Sequence, residues 1–420
     1  MRFSNINFGQ FAPVLKNASW LSVFEIMRIA MPFIALPYIF STVGSEKYGT
    51  VVFVQSIIAC LTLLINFGFD TSAVREVAVY RDDKKRLDTI VSAVFIIKSL
   101  LTVVSFILLV IIITVIPAMG ALSLIFYFAF IACIADIVLP VWYFQGKEEM
   151  KKLTIVRFVS ITCYTVSIFI FIRKAEDYPY IALLNSLSLI LSSIIACFFV
   201  FGKDNIRLFI PPVGYLKQMF SEASPFFMSR VSLTVNTYMA KIMSYFFLSP
   251  TVVAAFDVAQ KIINGGMIPV QMFNQALYPN MSKSQDKKML RHSLRIVTLT
   301  TFCMSVGIFL LSNLMVRLLS GGDTPEAAGI LRILCLYMFF SGFSVFLGTS
   351  SLVAFGYQKP FNVSVLWSTV VLIVCYSVMI ITGNNSFYLY ALALVAAELM
   401  VFGYRLYYCR RYGLFTPPSS

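Results

Sequence analysis

Charge is scarce in this chain: Asp, Glu, Lys and Arg make up only 12% of its 420 residues, against roughly a quarter in an ordinary soluble domain. Histidine is scarcer still. His292 is the single example and sits in a basic loop, which excludes a His-based catalytic triad and any imidazole metal cluster. The eight cysteines form no C-x-x-C pair. They lie inside apolar stretches or, for Cys409, at the end of one, so neither a disulfide framework nor a zinc site is expected. Long polar segments are also missing, which leaves no room for a soluble catalytic domain. No catalytic residue, metal or cofactor is therefore expected. No small-residue cleavage site follows the first apolar run, so that run is expected to stay as an uncleaved anchor. The short alternating segments of a transmembrane barrel are absent as well.

Hydrophobic residues supply 59% of the chain, with 40 phenylalanines alone, and mostly apolar runs of membrane length recur from end to end. Only a helix can satisfy its own backbone in lipid without closing a barrel, so the sequence describes an all-α polytopic membrane protein. About twelve spans are expected, near residues 19–43, 49–69, 89–116, 121–145, 153–173, 179–202, 223–248, 251–281, 292–319, 327–355, 361–382 and 387–409. Their connecting loops alternate in charge. The even-numbered loops hold sixteen Lys and Arg, among them Arg81, Lys84, Lys85, Lys151, Lys152, Lys287 and Lys288; the odd-numbered loops hold three, Lys47, Arg173 and Lys174. The positive-inside rule then places both termini in the cytoplasm. The formal net charge of +14 serves orientation in the bilayer, and nucleic acid is not an expected partner.

A weak internal repeat is visible. Gln55-Ser-Ile-Ile corresponds to Gln260-Lys-Ile-Ile, and Asp83-Lys84-Lys85 to Asp286-Lys287-Lys288, at nearly the same offset. Two pseudo-symmetric six-helix lobes around a central cavity are expected, residues 1–202 and 223–420. They are joined by a cytoplasmic linker, 203–222, that contains Pro211-Pro212 and an amphipathic stretch.

The stretch from Ala223 to Met281 is polar where a bilayer forbids it. Arg230, Thr234, Thr237, Lys241 and Tyr245 recur every three or four residues, then Asp257, Lys261, Asn264, Gln271, Gln275 and Tyr278 do the same. Each set lies on one helical face. A Lys or Asp at a membrane helix centre costs roughly 2.5–3.5 kcal/mol, so such residues face a partner or a water-filled cavity. The second span carries a matching stripe of Gln55, Thr62, Asn66 and Asp70, and the first holds Glu25 and Arg28. At 1.5 Å per residue, Lys261 lies roughly 15 Å from the non-cytoplasmic end, near the midplane. Lys241 and Asp257 share that depth and are expected to pair, with a proton-relay role for Asp257 as the alternative. Lys261 either takes the same carboxylate at i−4 or is free for a ligand. Arg28 and Arg230 sit nearer the cytoplasmic face, where they either snorkel or hold an anion. Glu25 and Asp257 are the candidates for ion coupling. Gly265, Gly266 and Pro269 break the eighth span, since Pro269 cannot donate to the carbonyl of Gly265, and mark a hinge. Lys98 and Asp136 are expected to pair; Arg157, Arg317, Arg332 and Arg405 are expected to snorkel at span ends.

Three stretches carry a resemblance. Pro140-Val-Trp142-Tyr-Phe-Gln145-Gly146-Lys-Glu-Glu149-Met150, Pro37-Tyr38 with Gly44-Ser-Glu46-Lys-Tyr48-Gly49, and Gly68-Phe69-Asp70-Thr-Ser-Ala-Val-Arg75-Glu76 resemble the polysaccharide-transporter family that contains bacterial O-antigen flippases. The resemblance implies a carrier in the bacterial inner membrane that is not an enzyme. It would move an undecaprenyl-pyrophosphate-linked oligosaccharide from the cytoplasmic to the periplasmic leaflet by alternating access, alongside glycan polymerase and chain-length machinery. The residues themselves fit such a substrate. Arg28, Arg230, Lys241 and Lys261 suit a pyrophosphate, and Gln55, Asn66, Asp70, Asn264, Gln271 and Gln275 suit sugar hydroxyls. A cation-coupled drug or small-solute antiporter of the same superfamily is the alternative, although its cavity would be acidic or apolar. A membrane glycan polymerase or lipid-carrier glycosyltransferase would need longer extracytoplasmic loops than these.

Overall fold

The computed structural model describes residues 8–322, 324–384 and 386–415, with the side chains of residues 8–30, Pro32 and Ser229 outside the description. The described chain is helical throughout, without a strand among its described residues. Its helices are α1 (Phe8–Asn66), α2 (Phe69–Val79), α3 (Lys84–Val115), α4 (Pro117–Gly120), α5 (Ser123–Val138), α6 (Val141–Gly146), α7 (Met150–Phe171) and α8 (Tyr178–Cys197). They continue as α9 (Val213–Phe247), α10 (Pro250–Gly266), α11 (Ile268–Ser284), α12 (Lys287–Leu310), α13 (Ser312–Ser320), α14 (Pro325–Val345), α15 (Gln358–Thr382) and α16 (Phe387–Arg411). A π-helical turn, Phe346–Val353, extends α14.

Local chemistry explains the starts and breaks. Gly44, at φ 79°, interrupts α1 and separates the first two expected spans. Asp83 caps α3 by accepting from the Arg86 backbone N–H at 3.1 Å, and Asp286 caps α12 by accepting from Lys288 at 2.7 Å. The repeated Asp-Lys-Lys motif thus supplies an N-cap to both α3 and α12. Ser249 accepts from the Val252 N–H, with Pro250 in the first turn, and so starts α10. The break expected in the eighth span is present: α10 ends at Gly266 and α11 begins with Pro269 in its first turn. Gly266 is also a packing residue, because a Cβ there would lie 2.6 Å from Ile308 Cδ1 and 2.9 Å from Met338 Cε.

Among the described residues nine helical stretches are long and apolar enough to cross a membrane. They correspond to the expected spans with the first two joined as Phe33–Val79, and with the seventh and eighth left out. Those two, α9 and the α10–α11 pair, carry the polar faces that lower their hydropathy. Elsewhere large apolar side chains point outward, as Leu100, Val103, Ile107 and Ile111 do along α3. This is the surface a lipid-facing helix presents, and the chain is a multi-pass membrane protein.

The chain packs as two compact units. The first holds the chain up to Ala35, Ile58–Arg173 and Pro179–Met228. Its core joins Phe69, Ala73 and Val77 of α2, Ile90 and Val94 of α3, Trp142, Tyr143 and Phe144 of α6, and Met219 and Ala223 of α9. The segment expected as a linker therefore packs within this unit. Gly68, at φ 85°, lets the α2 start approach α9 closely, for a Cβ there would lie 2.7 Å from the Ala223 carbonyl oxygen. Phe67 stacks on Phe220 and Phe227 at 4.1 and 4.5 Å. Asp204 accepts from the Tyr143 hydroxyl at 2.9 Å and from Lys147 at 3.0 Å, with Lys152 at 3.6 Å. Burial works to raise the Asp204 carboxyl, but these donors and the lysine charges hold it below the usual carboxylate range. Lys98 donates to the Asp136 carboxylate at 2.9 Å, the pairing its sequence position predicts. Interhelical serine bonds complete the unit: Ser186 donates to the Phe128 carbonyl and Ser193 to that of Ala135, both at 2.8 Å.

The second unit holds Leu36–Ile57, Lys174–Tyr178 and Ser229–Ser420. The Leu36–Ile57 hairpin of α1 packs on α9 and α10 through a Phe53–Tyr245 stack at 3.7 Å. Gly49 sits so close to α10 that a Cβ would fall 1.7 Å from the Pro250 carbonyl oxygen. Arg405 corrects its expected snorkelling. It is buried, donating to Ser364 Oγ at 2.9 Å and to the Ser344 carbonyl at 2.6 Å, with its guanidinium over Phe361. Arg332 is exposed and bonds Ser312 Oγ and Asn313 Oδ1, both at 3.1 Å.

Candidate functional site

The polar faces of α9 and α10 meet inside the second unit. Lys241 projects from α9, and Asp257 and Lys261 stand one turn apart on α10. Lys241 Nζ lies 2.8 Å from Asp257 Oδ1, and Lys261 donates to Asp257 Oδ2. The fourth member is Tyr48 of the Leu36–Ile57 hairpin. Its hydroxyl donates to Asp257 Oδ2 at 2.6 Å and accepts from Lys261 Nζ at 2.7 Å. The Asp257 and Lys241 side chains are only 8% and 9% exposed, whereas Lys261 is 29% exposed.

The charge balance defines what this cluster can do. Two ammonium groups share one carboxylate, which leaves a net positive charge in an apolar helical unit. A buried charge without compensation is costly, so the surplus ammonium calls for a further partner. Lys261 is the more exposed of the two lysines. An ammonium has three donors, and Asp257 and Tyr48 take two of the Lys261 set.

Beside the cluster, a cavity of about 270 Å³ opens within the same unit. Gln260 and Asn264 of α10 line it, facing Asn236 of α9, Tyr337 of α14, and Glu398 and Arg405 of α16. Asn236 is held in place, donating to Ser368 Oγ at 2.6 Å and accepting from Thr369 at 3.3 Å. The cavity shares α10 with the cluster, through Gln260 and Asn264, although neither lysine lines it.

The candidate residues named from the sequence are placed unevenly. Lys241, Asp257 and Lys261 come together; Asn264 lines the cavity. Arg230, Gln271, Gln275 and Pro269 are exposed, and Gln55 is half-buried in the hairpin. Asn66 and Asp70 are half-buried in the first unit, and Asp70 has interactions of its own there. The side chains of Glu25 and Arg28 lie outside the described residues. Sequence reasoning quoted Tyr48 within a motif but assigned it no part in the site. Helical periodicity cannot find it, since its partners are 209 and 213 residues away. Asn274 was also missed; it is buried and accepts from Ser350 Oγ at 2.8 Å, fixing α11 to the π-helical turn. Glu398 was left unexplained and now has a place in the cavity wall. Among the described residues no group of three or more His, Cys, Asp or Glu could hold a metal ion.

The family described as "Polysaccharide biosynthesis protein" matches residues 14–285. A protein of Escherichia coli (strain K12) that carries an O-antigen transporter name is 24% identical over 353 residues, covering 83% of this chain and 85% of the relative. A Shigella dysenteriae protein of the same name is 24% identical over 361 residues, covering 82% of this chain and 87% of its own. Among solved structures, a multidrug resistance MATE family transporter of the MOP superfamily in an inward-facing conformation superposes with a TM-score of 0.73 at 15% identity. That match covers 94% of this chain and 96% of the other. The lipid II flippase MurJ, in an inward closed conformation, superposes with a TM-score of 0.71 at 16% identity, covering 93% and 87%.

Proposed function

Because the chain belongs to the polysaccharide biosynthesis protein family, we propose that it is a flippase for a polyprenyl-diphosphate-linked oligosaccharide. In this reading it carries an undecaprenyl-pyrophosphate-linked O-antigen or related repeat unit from the cytoplasmic to the periplasmic leaflet of the bacterial inner membrane. Two lobes, residues 1–202 and 223–420, alternate access around the substrate, and both termini stay in the cytoplasm. The observation that carries the proposal is the buried lysine pair sharing one carboxylate, since that surplus charge matches a diphosphate. The O-antigen transporter names of the two bacterial relatives support the same substrate class.

In this scheme the diphosphate engages the remaining donor of Lys261, after Arg28 and Arg230 have drawn it in from the cytoplasmic side. Sugar hydroxyls meet Gln55, Asn66, Asp70, Asn264, Gln271 and Gln275. The polyprenyl tail stays in lipid, so the protein needs to shelter only the headgroup. Pro269 and the two glycines before it provide a bend within the moving half. Asp257 is held between two lysines and Tyr48; an ion-coupling role would require it to leave them, and Glu25 is the other candidate. A glycan polymerase and chain-length machinery would act on the delivered repeat unit. No covalent chemistry is assigned to the chain itself.

Drug antiport is the second reading, favoured by the structural likeness to a multidrug transporter. The two readings differ in the charge they need, since a cationic drug would be repelled by the net positive cluster. A deletion strain separates them. It is expected to accumulate lipid-linked oligosaccharide in the cytoplasmic leaflet and to lose its surface glycan, with both restored by this chain. Unchanged glycan in the deletion strain, together with a new sensitivity to cationic drugs, would instead establish the antiporter.

A further inference from the structure

The Leu36–Ile57 hairpin is tied to α10 at two different kinds of point. One is steric, with Gly49 against the Pro250 carbonyl, and Phe53 adds a stack on Tyr245 of the neighbouring α9. The other is polar and lies at the adjacent residue, where the Tyr48 hydroxyl meets α10. That oxygen donates to Asp257 and accepts from Lys261, so it is satisfied on both sides by the residues that define the anion site. The Lys261 ammonium also sits 5.5 Å from the centroid of the Tyr48 ring. The flanks of the hairpin, up to Ala35 and from Ile58, belong to the other compact unit. The hairpin, like the short Lys174–Tyr178 segment, is therefore a part of the second unit whose own chain leads into the other unit at both ends.

We propose that Tyr48 is a positioning residue that senses the anion, its hold on α10 weakening when Lys261 takes a diphosphate. This rests on the reading of Lys261 as the diphosphate ligand. An arriving diphosphate offers Lys261 charged acceptor oxygens, which are stronger partners than a neutral phenol. As the ammonium turns to them, Tyr48 loses its donor and Asp257 loses one of its two cations. The Tyr48 hydroxyl then retains its bond to a carboxylate already engaged by Lys241 but loses Lys261, so the hold of the hairpin on α10 weakens. Substrate binding and hairpin attachment thus compete for the same Lys261 donors.

Competition predicts the sign of a mutational effect that loss of structure would not give. In Tyr48→Phe the ring and its tilted contact with Phe40 survive but Lys261 no longer donates to the hydroxyl of residue 48. Removing one competing hydrogen bond, about 1 kcal/mol, should tighten binding of inorganic pyrophosphate roughly fivefold. The measurement uses the full chain in lipid nanodiscs, with pyrophosphate affinity by calorimetry and hydrogen exchange by mass spectrometry across residues 36–57. Wild type should show faster hairpin exchange when pyrophosphate is added. Tyr48→Phe should exchange fast without it and gain little from it. Equal or weaker pyrophosphate binding by Tyr48→Phe overturns the proposal, as does wild-type hairpin exchange that ignores bound pyrophosphate. Lys261→Gln separates the two levels of the argument. If wild type and Lys261→Gln bind pyrophosphate alike, the diphosphate site itself is wrong and the sensor falls with it.

Discussion

At the residue scale the decisive feature is an unequal division of charge around Asp257. Each lysine alone would be neutralised by that carboxylate; together they cannot be. Asp257 and Lys261 should therefore respond differently to substitution. Asp257→Ala leaves two ammonium groups facing each other in the unit interior. Breaking a buried pair in this way typically costs about 3–5 kcal/mol. Lys261→Ala removes the surplus charge and leaves Lys241 and Asp257 as a balanced pair, so stability should change far less. Thermal unfolding in detergent, read by a thiol dye at buried Cys133, Cys335 and Cys409, should show a marked drop for Asp257→Ala only. Surface glycan should fail in both, with Lys261→Arg retaining part of it. An unfolding profile for Lys261→Ala as poor as that of Asp257→Ala would mean that Lys261 is a structural ion-pair partner and nothing more.

At the scale of the helices, the sequence spoke clearly wherever local chemistry decides. The Asp83 and Asp286 caps, the Ser249-Pro250 start and the stop at Gly266 follow from side chains within one turn of the feature. Pairings one or two turns apart, such as Lys261 with Asp257, were equally legible from helical spacing. Across the sequence the result divided. Lys98 with Asp136 could be matched by depth alone, whereas Tyr48 and Arg405 could not. Arg405 looks interfacial by position, yet Ser344, near the end of α14, offers it a backbone carbonyl and Ser364 of α15 a hydroxyl, partners that no periodicity announces. Gly266 shows a third limit. Its place in a Gly-Gly-Pro break suggests freedom to bend, but its missing Cβ is also needed for contact with α12 and α14. A bulky residue there would damage packing whether or not the break moves. Pro269→Ala tests the bend cleanly, because it restores the N–H that can reach the Gly265 carbonyl. Transport should slow severalfold with insertion and thermal stability unchanged or improved. Wild-type transport by Pro269→Ala would leave the break as packing alone.

At the scale of the whole molecule, the same polarity that makes α9, α10 and α11 poor membrane spans by composition makes them the carriers of the site. Their depth in the bilayer is set by the other helices, whose outward faces are apolar, as along α3. Orientation is left to the loops, and there the bias is strong: sixteen Lys and Arg in the even-numbered loops against three in the odd. The basic residues Arg410 and Arg411, at the end of α16, agree with it. In the proposed scheme the direction of transport depends on this bias, because Arg230 could recruit a cytoplasmic substrate only if α9 begins on the cytoplasmic side. A fluorescent reporter that matures only in the cytoplasm should therefore be bright when fused after Ser420. A cysteine placed at Lys287 in the α12 cap should be shielded from an impermeant thiol reagent in intact cells, and one at Lys174 should be labelled. Reagent access to residue 287 from outside would reverse the orientation. Arg230 would then face the periplasm, and the vectorial part of the flippase proposal would have to be abandoned even with the anion site intact.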